Sequence, residues 1–264
     1  MKLKQVRWFV VAMLVFGSMA AAQPATAPAD ARAGRRGRGP AGPPPSATMP
    51  AMQGGTGPRQ EQFKELAKAG HIDLLFLGDS ITDFWARPNP QRGGKAVWDK
   101  YFSPLNAANF GVNAARTQHV LWQTQNGLLD GFKAKCIVML LGTNNLSVPG
   151  NVRNTDEETL EGLKLVIGEI RTRQPDAKLL LLAIFPRGQA ADDPYREHIK
   201  HVNSELAKMA DNQHIFFMDF GDKFLQPDGT ISQEIMSDYL HPTEKGYEIW
   251  AGAIIGKVKE LMGQ

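Results

Sequence analysis

One cysteine, Cys136, stands in 264 residues. A lone thiol closes no internal disulfide, so the fold carries no covalent staple. Cys136 lies in the apolar run Cys136-Ile137-Val138-Met139-Leu140-Leu141 and reads as a small buried hydrophobe. No Cys/His cluster has zinc-ligand spacing, and there is no H-E-x-x-H. His198 and His201, three apart on a predicted helix, read as a solvated face. No metal and no cofactor are expected. The chain also lacks internal repeats and an apolar run of spanning length, since Trp8 to Phe16 is too short for an ordinary membrane helix. A strong charge of one sign is missing as well. Residues 1–58 hold seven of the 30 Lys/Arg and one of the 27 acids, so the remainder carries 23 bases against 26 acids. The folded part is therefore weakly acidic, and no nucleic-acid partner is expected.

What is present begins with a leader. Lys2, Lys4 and Arg7 precede the apolar stretch, and Ala20-Ala21-Ala22 supplies small residues for cleavage before Gln23. This order reads as a secretory signal over 1–22, which implies export to the periplasm or beyond and no stable membrane span after processing; an uncleaved anchor is the competing reading. Residues 23–58 are rich in Pro, Ala, Gly and Arg and read as a disordered tail. Residues 59–264, with 42% hydrophobic residues in the chain as a whole, suffice for one substantial core. There, strand-like runs alternate with helix-like ones. The strands are 72–77, 106–110, 135–141, 178–184 and 215–218. Helices are expected over 62–68, 96–102, 116–129, 155–173, 194–210 and 242–261. That alternation predicts a parallel sheet covered on both faces, a three-layer α/β/α sandwich.

The chain is organised around Gly78-Asp79-Ser80-Ile81-Thr82, which follows the first strand. A serine there stands at the carboxyl edge of the sheet, where open α/β folds place their ligands. Ser and Asp are also the commonest helix N-caps, so these five residues alone leave a cap and a nucleophile equally open. Partners at the same edge decide. Strand two ends in Asn109-Phe110-Gly111-Val112-Asn113, strand three in Gly142-Thr143-Asn144-Asn145, and Asp238-Tyr239-Leu240-His241 precedes the last helix. A nucleophile, oxyanion donors, a base and a base-orienter are the parts that acyl transfer requires. Asp79 reads as a structural cap, because the acid role is filled by Asp238. His119 and the tryptophans Trp85, Trp98 and Trp122 read first as packing residues.

These four segments, in this order, resemble the four blocks of the SGNH hydrolases, the GDSL esterase/lipase family. The runs Thr117-Gln118-His119-Val120-Leu121-Trp122, Pro186-Arg187-Gly188-Gln189 and Asp228-Gly229-Thr230-Ile231-Ser232 further resemble the platelet-activating-factor acetylhydrolase branch. The resemblance covers roughly 70–262. It implies a flavodoxin-like sheet of five parallel strands and a serine esterase acting on small-acyl, often acetyl, esters. It assigns Ser80 as nucleophile, His241 as base and Asp238 as its partner, with the amides of Ser80 and Gly111 and the Asn144 side chain as the oxyanion hole. Two departures stand out: the leader and tail, and Asn113-Ala114-Ala115-Arg116 where a Gly/Asp-rich turn is expected. Acetylated carbohydrate and acetylated lipid remain open as substrates, as does a homodimer. The alternatives are an acyltransferase on the same site and a binding module without turnover. The latter has no use for a general base.

Overall fold

The computed structural model describes residues 46–264. Five strands form the sheet: β1 (Leu74–Gly78), β2 (Ala107–Gly111), β3 (Cys136–Leu140), β4 (Lys178–Leu182) and β5 (Ile215–Met218). They are all parallel, in the order β2-β1-β3-β4-β5. The strands β1 and β3 are buried at every position, which is why they read as continuous apolar runs rather than alternating ones. Leu75, Leu77, Ile137, Met139, Leu179 and Leu181 point into one core, and Leu74, Phe76, Val138, Leu180 and Leu182 into the other. The helices are α1 (Gly57–Lys68), α2 (Ser80–Asp83), α3 (Lys95–Tyr101), α4 (Thr117–Gln123), α5 (Asp156–Arg173), α6 (Tyr195–Ala207) and α7 (Glu244–Met262). The first core takes side chains from α1, α4, α5 and α6, and the second takes them from α3 and α7. The expected α/β/α sandwich is the architecture found.

Local chemistry sets the element ends. Thr155 caps α5 through its hydroxyl, and Glu158 closes the box by accepting from the Thr155 amide. Thr243 caps α7 in the same manner at the amide of Gly246. Trp85 and Trp98 join Phe76, Phe102, Tyr247 and Trp250 in an aromatic cluster of the second core, so both are packing residues.

Several boundaries differ from expectation, most by one to three residues and two with structural consequences. The predicted helix over 116–129 ends early: α4 stops at Gln123 and a wider turn covers Thr124–Leu128. Gly127 has φ 87 there, a left-handed conformation that breaks the α-helical ladder and that glycine adopts at no steric cost. The tail expected over 23–58 is also corrected at its C-terminal end. Ala47 is fully buried, its carbonyl accepts from the Thr117 hydroxyl, and the Ala51 amide donates to the Gln118 carbonyl. Helix α1 itself starts at Gly57, ahead of the expected 62, with Pro58 in its first turn. The signal expected over 1–22 and the tail from 23 to 45 lie outside the described residues.

The turn from β1 to α2 depends on Gly78. A Cβ there would sit 2.2 Å from the Leu140 carbonyl oxygen and 2.4 Å from Thr82 Oγ1. Neither neighbour is free to retreat, because one is ladder backbone and the other is buried. Gly78→Ala is therefore expected to cost roughly 1–3 kcal/mol, the usual range for overpacking. Urea unfolding checks this; a midpoint equal to wild type would contradict it.

Candidate active site

Asp79 is the N-cap of α2, its Oδ1 accepting from the Ile81 amide at 3.0 Å. The cap presents Ser80 as the first residue of α2, at the C-terminal end of β1. Burial pushes the Asp79 carboxyl up to about 7, with the Ile81 bond opposing. Its role is structural, as expected.

The turn 236–243 carries the partners. Met236 bridges Pro242, and the Thr243 hydroxyl donates to the Glu234 carbonyl, so the turn is closed on itself. Asp238 Oδ1 accepts from the amides of Leu240 and His241, at 3.2 and 2.8 Å. Its Oδ2 lies 2.8 Å from His241 Nδ1. With Nδ1–H donated to that oxygen, Nε2 is left to accept the Ser80 hydroxyl, 2.9 Å away. The Tyr247 hydroxyl donates to the Ile81 carbonyl at 2.6 Å and ties α7 to α2, which fixes the two halves of the array. Phe84 stacks on the imidazole at 4.7 Å. Ser80, far away in sequence, thus meets His241 and Asp238 in one hydrogen-bonded line.

Environment sets the charges. Burial holds His241 below the usual histidine range; Asp238 opposes this, while Arg92 and Arg187 reinforce it. Burial pushes Asp238 up, but the bonds from the His241 amide and ring, with the charges of His241 and Arg92, hold it below the usual carboxylate range. A neutral imidazole facing an ionised carboxylate is the state a general base requires.

The oxyanion donors need one correction. Gly111 does not offer its amide, because that N–H donates to Asn109 Oδ1 at 2.9 Å. The glycine serves packing instead: a Cβ there would meet the Asp83 amide nitrogen at 2.3 Å. Asn144 has spare capacity. Its Nδ2 donates once, to the Ala115 carbonyl at 3.0 Å, which leaves one hydrogen. Asn145 is spent within the core, where it bonds Thr117, Gln118 and Asn154. Sequence reasoning missed Ala114. It is exposed, holds φ 59, and its N–H has no partner among the described residues. Left-handed backbone on a residue with a Cβ costs of order 1–3 kcal/mol and tends to persist at functional sites. The signal was available as Asn113-Ala114-Ala115-Arg116 standing in place of a glycine-rich turn.

Other sequence candidates resolve to structure. His198 bonds the Asp156 carboxylate at 3.0 Å rather than His201. His119 accepts from the Arg116 amide as part of the α4 cap. Burial pushes the Cys136 thiol up to about 12, so it is inert. Among the described residues, no three His, Cys, Asp or Glu are grouped to hold a metal. A cleft of about 310 Å³ adjoins Asp238, lined by Arg187, Gln189, Asp193, Tyr195 and Tyr239. A larger one, about 460 Å³, lies between α6 and β5; its lining has neither histidine nor cysteine.

Comparison with known proteins adds four findings. Residues 76–249 match the model of the GDSL-like lipase/acylhydrolase family. The chain is 34% identical over 204 residues to platelet-activating factor acetylhydrolase IB subunit alpha1 of Homo sapiens, covering 77% of this chain and 82% of that one. It is 38% identical over 179 residues to subunit alpha2 of Rattus norvegicus, covering 66% and 71%. Among solved structures, an acetyl xylan esterase superposes with a TM-score of 0.58 at 17% identity, over 71% of this chain and all of that one.

Proposed function

Since the chain belongs to the GDSL-like lipase/acylhydrolase family and is a carboxylic ester hydrolase, we propose that it cleaves small-acyl esters, acetyl esters first, through Ser80, His241 and Asp238. The observation that carries this is the Ser80–His241–Asp238 line of hydrogen bonds at 2.9 and 2.8 Å. Ser80 Oγ attacks the acyl carbon as its proton passes to His241 Nε2. The carbonyl oxygen becomes an oxyanion. It is met by the Ser80 amide, which has no acceptor inside α2, by the Ala114 amide and by the Asn144 side chain. Collapse breaks the ester C–O bond, and His241 protonates the departing alcohol. Water then attacks the acyl-serine, giving its proton to His241, and the acid leaves as Ser80 recovers its hydrogen.

The alcohol portion in this proposal is polar, an acetylated carbohydrate rather than a lipid. The cleft beside Asp238 supports it: Arg187, Gln189 and Asp193 offer donors and acceptors, and there is no long apolar trough among its lining residues. Two kinds of relative point the same way on the acyl group, since acetyl is named in both the acetylhydrolase subunits and the acetyl xylan esterase. A panel of p-nitrophenyl esters of increasing chain length, followed by acetylated xylan, tests the reading. Acetate is expected to give the highest kcat/KM, with a fall of at least about tenfold by octanoate if each added methylene misfits the pocket. A maximum at octanoate or beyond would overturn the acyl assignment.

A further inference from the structure

The segment between α2 and α3 does more than connect them. Residues 87–94 form a closed loop: the Gly94 amide donates to the Phe84 carbonyl, the Lys95 amide to the Arg87 carbonyl, and the Glu244 amide at the start of α7 to the Pro90 carbonyl. Gly93 is required where the loop crosses itself, because a Cβ there would lie 2.4 Å from the Arg87 carbonyl oxygen. This loop delivers Arg92 to the outer side of the catalytic pair. Arg92 Nη2 is 2.9 Å from Asp238 Oδ2 and 2.9 Å from His241 Nδ1. Its Nε is buried without a partner, and its guanidinium lies 5.4 Å from the centre of the Phe84 ring. The chain thus leaves one guanidinium nitrogen unpaired while its Nη2 reaches the array.

Resting on the triad reading above, we infer that Arg92 is a positioning residue. It grips the Asp238 oxygen that orients His241, and it sets a fixed positive charge against the Nδ1 edge of the ring. Both Nδ1–H and Nη2–H are donors in the productive tautomer, so Asp238 Oδ2 accepts from the two of them. The contact between Arg92 and Nδ1 is then one of charge, and it disfavours the imidazolium. The groups facing the ring are Asp238 from its own turn, Ser80 from α2, Arg92 from the loop, and Arg187 from the segment after β4. Phe84 covers the ring face, with Arg87 over Phe84 in turn. Asp238 is the one group in this set that favours the charged ring. Arg92 and Arg187 oppose it, and Arg92 alone touches both members of the pair. The consequence is a base that stays neutral to lower pH than Asp238 by itself would allow.

The test is the rate of Ser80 labelling by a fluorophosphonate as a function of pH, which needs no knowledge of the substrate. Wild type, Arg92→Met, Arg92→Lys and Ser80→Ala are compared. Arg92→Met is expected to move the acid limb up by about one unit, so that labelling on the limb falls roughly tenfold. Arg92→Lys returns the limb toward wild type, because it restores the charge. A loop that only braced the fold would lower the plateau and leave the limb in place. If Arg92→Met labels too slowly to titrate, Arg92→Gln keeps a donor for Asp238 without the charge and is expected to show the same shift. A limb that superposes on wild type, or moves down, in the neutral variants overturns the inference, as does failure of lysine to restore it. Labelling that persists in Ser80→Ala overturns the triad reading instead, whatever Arg92 does.

Discussion

Ser80→Ala loses up to about six orders of magnitude in turnover on p-nitrophenyl acetate, and a fluorophosphonate no longer labels the protein. The size of the loss follows from how the array is built. Ser80 is 3% exposed at the start of α2, and its hydroxyl has His241 Nε2 as its partner at 2.9 Å. Remove the oxygen and His241 has no nucleophile to deprotonate, while Asp238 has an imidazole to orient for no purpose. Members of such a unit act together, so one loss approaches the loss of all. What survives is binding and the oxyanion donors, which leave a residual rate above that of water. The fold is expected to persist, since Asp79, which caps α2, and Tyr247, which ties it to α7, are untouched. A folded Ser80→Ala variant with more than about a hundredth of wild-type turnover would remove Ser80 from the nucleophile's role.

Asn144→Ala and Asn145→Ala are expected to fail in different ways. Asn144 makes one hydrogen bond, to the Ala115 carbonyl, and keeps one amide hydrogen for the oxyanion in the proposed mechanism. A donor aimed at developing negative charge acts mainly in the transition state. Its loss is expected to lower kcat by roughly two to three orders of magnitude with little change in KM. Stability falls by about 1 kcal/mol, for the single bond given up. Asn145 is fully buried and bonds the Thr117 amide and hydroxyl, Gln118 and Asn154. Truncating it strands buried polar groups, at about 1–3 kcal/mol each. Asn145→Ala is therefore expected to lose stability first and turnover second. Steady-state kinetics and thermal unfolding on the two variants separate the roles. Severe kinetics in a stable Asn145→Ala, with Asn144→Ala near wild type, would reverse the assignment. Wild-type turnover in both would leave the hole to backbone amides alone.

The sequence by itself determined the sheet, its two-sided burial and the place of Ser80. These are properties of local pattern: a continuous apolar run buries on both faces wherever it pairs, and a Gly-Asp-Ser turn after such a run starts a helix at the carboxyl edge. The family resemblance named Asp238 as the partner of His241, and their spacing of three allows one turn to carry both. What only the tertiary structure decided depends on which backbone groups are already taken. Gly111 reads as an oxyanion donor until Asn109 is seen to hold its amide. Ala114 is marked by a positive φ, which no side-chain chemistry announces. Residues 46–56 are poor in large apolar groups and read as tail, yet Ala47 packs by its backbone against Thr117 and Gly162, where a Cβ on the glycine would meet its carbonyl at 2.7 Å. Arg92 is one charge among many in a loop until the crossing of the chain at Pro90 and Glu244 brings it to Asp238. Each of these depends on contacts between segments far apart in the chain, and composition and spacing carry no record of them.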